Sequence, residues 1–356
     1  MKGLLALLAS IGLAMFCWGV YGPVLQIGKD EMLGSSLRPF VCVGLAYFLI
    51  AVLAPVSLLR MNGESGHWST SGIIWSLIAG TAGALGALGI ILAFAFRGSP
   101  VYVMPLVFGC APVVNTFLTM YWAKSYKQVS PIFFAGLILV IVGAMIVLLF
   151  RPHGHAGPKV PVAHQASAVS TALAPQPEKE VPAHSTRDRF LVFLFVAMTA
   201  LSWGVYGPTL HRGQTAMAGS RLRPFICVGL AYFLVAVIAP SVILLSWDEP
   251  GSFTFTGSLW SLAGGAAGAL GALGIIMAFN FGGKPIFVMP LVFGGAPVIN
   301  TFVSVLRAGN YDQLHPMFYA GLIVVAAGAV TVLVFSPKGG GHPAPKDKQA
   351  RETAPA

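Results

Sequence analysis

The sequence predicts an all-α polytopic membrane protein, with ten transmembrane helices in two inverted five-helix repeats. Three observations lead there: an apolar composition, ten apolar stretches of membrane-spanning length, and a gapless internal duplication. Hydrophobic residues make up 56% of the 356-residue chain and charged residues 9%, against the ~25% charged that is usual in soluble domains. Each stretch is near the ~20 residues that a helix needs to cross a ~30 Å hydrocarbon core. In lipid such a helix satisfies its backbone polar groups internally, so strands are not expected.

The duplication is read by adding 185 to a residue number, which carries Trp18–Phe150 onto Trp203–Phe335 with about 78 of 133 pairs identical. WGVYGP at 18–23 returns at 203–208, RPFVCVGLAYFL at 38–49 as RPFICVGLAYFL at 223–234, and AGALGALGII at 82–91 unchanged at 267–276. Each copy yields five spans, at 3–27, 38–59, 72–96, 99–122 and 131–150 in the first and 185 further on in the second. Five is odd, so the second copy enters the bilayer from the opposite side and the halves are inverted, a pattern of secondary transporters.

The first span has the basic start and apolar middle of a signal peptide. Its counterpart near 188–210 cannot be one and ends in the same motif, so the first span is predicted as a structural helix. The repeats then occupy 1–151 and 188–336. Residues 152–187 and 337–356, rich in Pro, Ala and charge without a periodic apolar face, are expected to be a disordered linker and tail.

A net charge of +10 is spread over loops, linker and tail, which argues for topology signals and anionic-lipid contacts rather than nucleic acid. Basic residues near span ends are almost balanced between the two sides. They lean toward both termini being cytoplasmic in the cell inner (plasma) membrane, with the linker outside. Cys17, Cys42, Cys110 and Cys227 all fall in apolar spans, as small hydrophobes rather than a disulfide framework.

None of the eleven acidic residues falls in the middle of a span. A proton-coupled carrier commonly holds a carboxylate there, so a facilitator or exchanger is expected. Arg38 and Arg223, each before a proline that opens the second span of its copy, are candidates for a gate or an anion contact; the alternative is a snorkelling arginine beside a helix start. Pro105, Pro112, Pro290 and Pro297 are expected to break the fourth and ninth spans and leave carbonyls free for ligand or water. Asn115 and Asn300, just beyond them, are the deepest matched amides, as cargo contacts or as interhelical hydrogen bonds.

Asn280 has no amide counterpart, since it aligns with Ala95, so it is a candidate for reading an asymmetric cargo. Trp18, Trp203, Tyr47 and Tyr232 line a cavity or sit in the interfacial aromatic belt. Gly80, Gly83, Gly86 and Gly89, with Gly265, Gly268, Gly271 and Gly274, form a small-residue surface for close helix packing. His153 and His155 lack further ligands for a metal. Without a buried Ser/His/Asp set, metal cluster or phosphate loop, the chain is not expected to be an enzyme or to carry a cofactor.

These residues resemble the drug/metabolite transporter superfamily, specifically its EamA-like ten-helix members. The likeness rests on a Trp-Gly in the first span, Arg38 and Phe40 with Arg223 and Phe225 at the second, Pro112 and Pro297 in the fourth, and Gly136, Gly143, Gly321 and Gly328 in the fifth. It implies ten helices in two inverted repeats, cytoplasmic termini, and a central cavity lined by the first, third, fourth, sixth, eighth and ninth spans. The Gly-Glu pair that members often carry after the fourth span is absent, replaced by Ala123-Lys124-Ser125 and Ala308-Gly309-Asn310.

The sequence thus points to a secondary transporter of a small polar metabolite, neutral or anionic, working by alternating access between the repeats. Its partners would be that metabolite and the lipid bilayer, with oligomeric state open. The alternative is a non-transporting membrane scaffold or sensor, which predicts a dry bundle without a cavity.

Overall fold

The computed structural model describes residues 2–96, 100–124, 129–150, 186–246, 249–309 and 314–335. The expected linker lies outside these residues apart from Thr186 and Arg187, which open a helix, and the expected tail lies outside them entirely.

Among the described residues the regular structure is helical throughout. The first copy forms α1 (Lys2–Glu31), α2 (Leu37–Met61), α3 (Thr70–Ala95), α4 (Pro100–Ala123) and α5 (Pro131–Leu149). The second forms α6 (Thr186–Ala216), α7 (Leu222–Ser246), α8 (Phe255–Asn280), α9 (Pro285–Ala308) and α10 (Pro316–Val334). Eight of these are long and apolar enough to cross a membrane, and α5 and α10 are shorter apolar helices. The chain is a multi-pass helical membrane protein.

Local chemistry sets the helix ends. α5, α9 and α10 each begin on proline, whose missing N–H costs nothing in a first turn. Ser130 and Thr254 cap α5 and α8 by accepting from the backbone N–H of Phe133 and Gly257. Gly309, at φ 65°, ends α9 in the left-handed conformation that a Cβ disfavours.

The internal prolines do not break their helices. α4 runs on through Pro105 and Pro112, and α9 through Pro290 and Pro297. Pro112, Pro290 and Pro297 are buried among neighbouring helices, the setting in which a bundle tolerates a missing helix bond. The irregular turns lie elsewhere, in π segments at Phe48–Leu53 of α2 and Phe233–Ile238 of α7. Pro55 and Pro240 follow at once. The wider turn gives room to a ring that would otherwise strike the carbonyl four residues back.

Each helix packs chiefly against the other copy: α1 on α8 and α9, α6 on α3 and α4, and α5 on α10. The glycine stripes make this possible. Gly80 lies against Val228 and Ala231, and Gly265 against Val43 and Ala46; a Cβ at Gly86 or Gly271 would strike the indole of Trp203 or Trp18. Every such contact recurs with the copies exchanged, as across the isologous interface of a two-fold dimer.

Candidate functional site

The reciprocal packing places one aromatic group from each copy at the centre. The indole N–H of Trp18 donates to the carbonyl of Gly268 at 3.2 Å, and that of Trp203 to Gly83 at 3.2 Å. An indole N–H buried without a partner is costly, so these bonds fix both rings. Tyr47 and Tyr232 stack with centroids 3.8 Å apart, and the Trp18 ring lies 6.0 Å from Tyr206 and 6.1 Å from Phe293.

Beside these rings lies a cavity of about 220 Å³. Tyr21, Gly22, Leu25, Gln26 and Lys29 of α1 line it, at the spacing of one helix face. The other walls are Ser36 just before α2, Pro39 and Phe40 of α2, Gly83, Ala87, Ile90 and Ile91 of α3, Met104 and Phe108 of α4, and Phe293, Ala296 and Asn300 of α9. The cavity therefore reaches from the aromatic centre toward the face at which α1 ends and α2 begins.

The matched positions, where α6 ends and α7 begins, are closed in by neighbouring helices. Asn115 and Leu210, the counterparts of Asn300 and Leu25, are fully buried. The Asn115 amide donates to the Pro285 carbonyl at 2.8 Å, joining α4 to α9. The Gln214 amide, counterpart of Lys29, donates to the Ile276 carbonyl at 3.1 Å, joining α6 to α8. The Arg212 guanidinium sits 4.0 Å from the Trp122 ring centroid and 5.0 Å from that of Trp75, a cation–π clamp between α6, α3 and α4. Asn115 Oδ1, Gln214 Oε1 and the Tyr206 hydroxyl are buried without a hydrogen-bond partner among the described residues.

The two arginines predicted at a gate are held by loop acids. The Ser35 hydroxyl and the backbone N–H groups of Ser36 and Leu37 donate to the Glu249 carboxylate at 2.5, 3.0 and 3.1 Å, and Arg38 Nη1 lies 3.4 Å from it. Glu249 thus caps α2 across the copies, and Glu64 caps α7 in the same way. Glu64 takes donors from Ser220, Arg221 and Leu222 at 2.6, 2.8 and 3.1 Å, with Arg223 Nη1 at 3.6 Å. Burial pushes the Glu64 carboxyl up, but the Ser220 hydroxyl and the Arg221 and Leu222 donors outweigh it and hold it below the usual glutamate value.

Of the residues singled out from the sequence, Trp18, Trp203, Tyr47, Tyr232 and Asn300 come together on the cavity. Asn115 is on the closed side, while Arg38 and Arg223 are in the capping ion pairs. Asn280 is the last residue of α8, exposed, and donates to the Gly219 carbonyl at 3.0 Å. It lies off the cavity because it projects past the helix end to a loop. Gln26, Lys29, Arg212 and Gln214 were not singled out as site residues, although the mismatch of Lys29 with Gln214 and of Arg212 with Ile27 marks them in the alignment. Glu64 and Glu249 were legible too, as the acidic pair that survives the 185-residue offset.

The sequence matches no protein-family model and no curated relative. The fold does match solved structures. One crystal structure superposes with a TM-score of 0.60 at 15% identity, over 92% of this chain and 96% of its own. At that identity the likeness is one of fold alone.

Proposed function

We propose that this protein is a secondary transporter of a small polar metabolite, neutral or anionic, working by alternating access between two inverted five-helix repeats. The observation that carries this is the one-sided cavity in a reciprocal scaffold. Near-identical halves place Asn300 and Leu25 on an open cavity and their counterparts Asn115 and Leu210 in a sealed contact. Exchanging the two arrangements would close the α1–α2 face and open the α6–α7 face, a two-state rearrangement that the duplicated sequence makes nearly balanced. Its resemblance to EamA-like transporters favours the same reading, with ten spans and both termini on the cytoplasmic side of the inner membrane.

Among the described residues no Asp or Glu lines the cavity, which favours a facilitator or exchanger over a proton-coupled carrier. A scaffold or sensor has no need of an internal cavity, and about 220 Å³ of open volume counts against that role. The test is flux of a metabolite panel into proteoliposomes holding the folded protein. Saturable flux of one solute class, lost when the Trp18 and Trp203 indoles are removed, is expected. Absence of flux for the whole panel would overturn the proposal.

A further inference from the structure

The cavity is asymmetric in charge as well as in access. Among the described residues Lys29 is the one charged group on its lining, and no aspartate or glutamate joins it. Among the described residues no carboxylate lies within the 4.0 Å of an ion pair with Lys29. The adjacent Asp30 and Glu31 are both exposed, and Asp30 is engaged by the Gln26 amide at 2.6 Å. Packing does not require a cation here, because the matched Gln214 fills the equivalent position with a hydrogen bond to Ile276.

The surroundings of Lys29 define what it could meet. Ser36 and the Asn300 amide, which makes no side-chain hydrogen bond among the described residues, line the same cavity, with Asn300 Nδ2 against Gly22 of α1. Its other walls carry the rings of Trp18, Trp203 and Phe293. The volume of about 220 Å³ is below the ~300–1,000 Å³ of drug-sized pockets. An ammonium at the mouth of an apolar-walled cleft raises the local concentration of anions and repels cations, and a carboxylate beside it forms the stronger, charge-assisted class of hydrogen bond.

We infer that the cargo is a small organic monocarboxylate with an apolar or aromatic body, its carboxylate at Lys29 and Asn300 and its body against the Trp18 and Trp203 rings. This rests on the transport proposal and names the substrate class of the same cavity.

The test uses three probes on one skeleton, phenylacetate, phenylacetamide and phenethylamine. Binding is read from thermal stabilisation of the full-length protein in nanodiscs of zwitterionic lipid, so that no anionic headgroup competes. Phenylacetate is expected to bind about tenfold more tightly than the amide, equivalent to ~1.4 kcal/mol, and the amine not to bind measurably. Lys29→Gln, which installs the residue the second copy already carries, should bring acid and amide within about threefold, and Lys29→Arg should keep the preference. Suppression of phenylacetate binding by added phosphatidylglycerol in wild type but not in Lys29→Gln would make a lipid headgroup the natural anion and overturn the soluble-cargo assignment. Equal binding of all three probes, preference for the amine, or an unchanged preference in Lys29→Gln would overturn the inference while leaving flux of another solute to stand. Acid-selective binding with no flux of any solute would instead overturn transport alone.

Discussion

Tyr47 stacks on Tyr232 with centroids 3.8 Å apart and an interplanar angle of 0°, and the two are counterparts 185 residues apart. A residue can touch its own copy only on the axis that relates the copies. The pair therefore marks the axis, and Phe48 and Phe233, 4.7 Å apart, continue it. Trp18 and Trp203 flank it symmetrically through their matched bonds to Gly268 and Gly83. What departs from that symmetry is the state of the two faces.

The asparagines should separate the faces. Asn115→Ala removes the bond to Pro285 that closes one side, with an expected loss of ~1 kcal/mol in stability. Asn300→Ala removes a cavity amide without a partner among the described residues, so stability should hold while transport falls several-fold. Thermal denaturation and flux measured on both variants check this. Equal stability losses would mean that the two sites are alike.

The capping carboxylates give a pH dependence with a definite sign. The Glu64 carboxyl is held below its usual value in the folded protein, so its contribution is fully present above the ordinary glutamate range. It is lost as the pH falls through that range and below. Glu64→Gln should lower stability at neutral pH by roughly 1–2 kcal/mol, the size of a lost helix cap, and should flatten the acid limb. Unfolding midpoints from pH 7 down to about 3 check both effects.

Glycine substitutions probe the seating of the indoles. A Cβ at Gly271 or Gly86 would collide with the ring of Trp18 or Trp203. Gly271→Ala and Gly86→Ala should each cost ~1–3 kcal/mol and reduce transport by displacing a cavity wall. Gly12, in α1, has open space at its Cβ position, so Gly12→Ala should be neutral or stabilising by up to ~1 kcal/mol. Intrinsic tryptophan fluorescence reports the ring displacement directly.

With no acid on the cavity wall, an imposed pH gradient should not drive accumulation in proteoliposomes whose membrane potential is clamped. Uphill uptake under an inward proton gradient would mean that another lining group, such as Lys29, carries the proton.

The helices were legible because apolar length registers directly in composition, although two of the ten expected spans are shorter apolar helices. Trp18 and Tyr47 could be chosen from their matched motifs. Their place beside the axis depends on how α1 and α2 cross the other copy. The prolines misled, since a sequence reveals a missing N–H but not the neighbours that make it tolerable. The π turns beside Pro55 and Pro240 were invisible for the same reason. Arg38 and Arg223 looked free because Glu249 and Glu64 lie 211 and 159 positions away, and which loop meets which helix start is a property of the assembled bundle.

Those exchanged caps also bear on how the protein is made. When the ribosome has finished the first copy, the start of α2 still lacks its acceptor, because Glu249 is not yet synthesised. Until the loop after α7 arrives, the start of α2 keeps only its local contacts, Arg38 to the Ser35 hydroxyl. Each half thus takes one helix cap from the other. Produced as separate polypeptides, the two halves should persist only when made together.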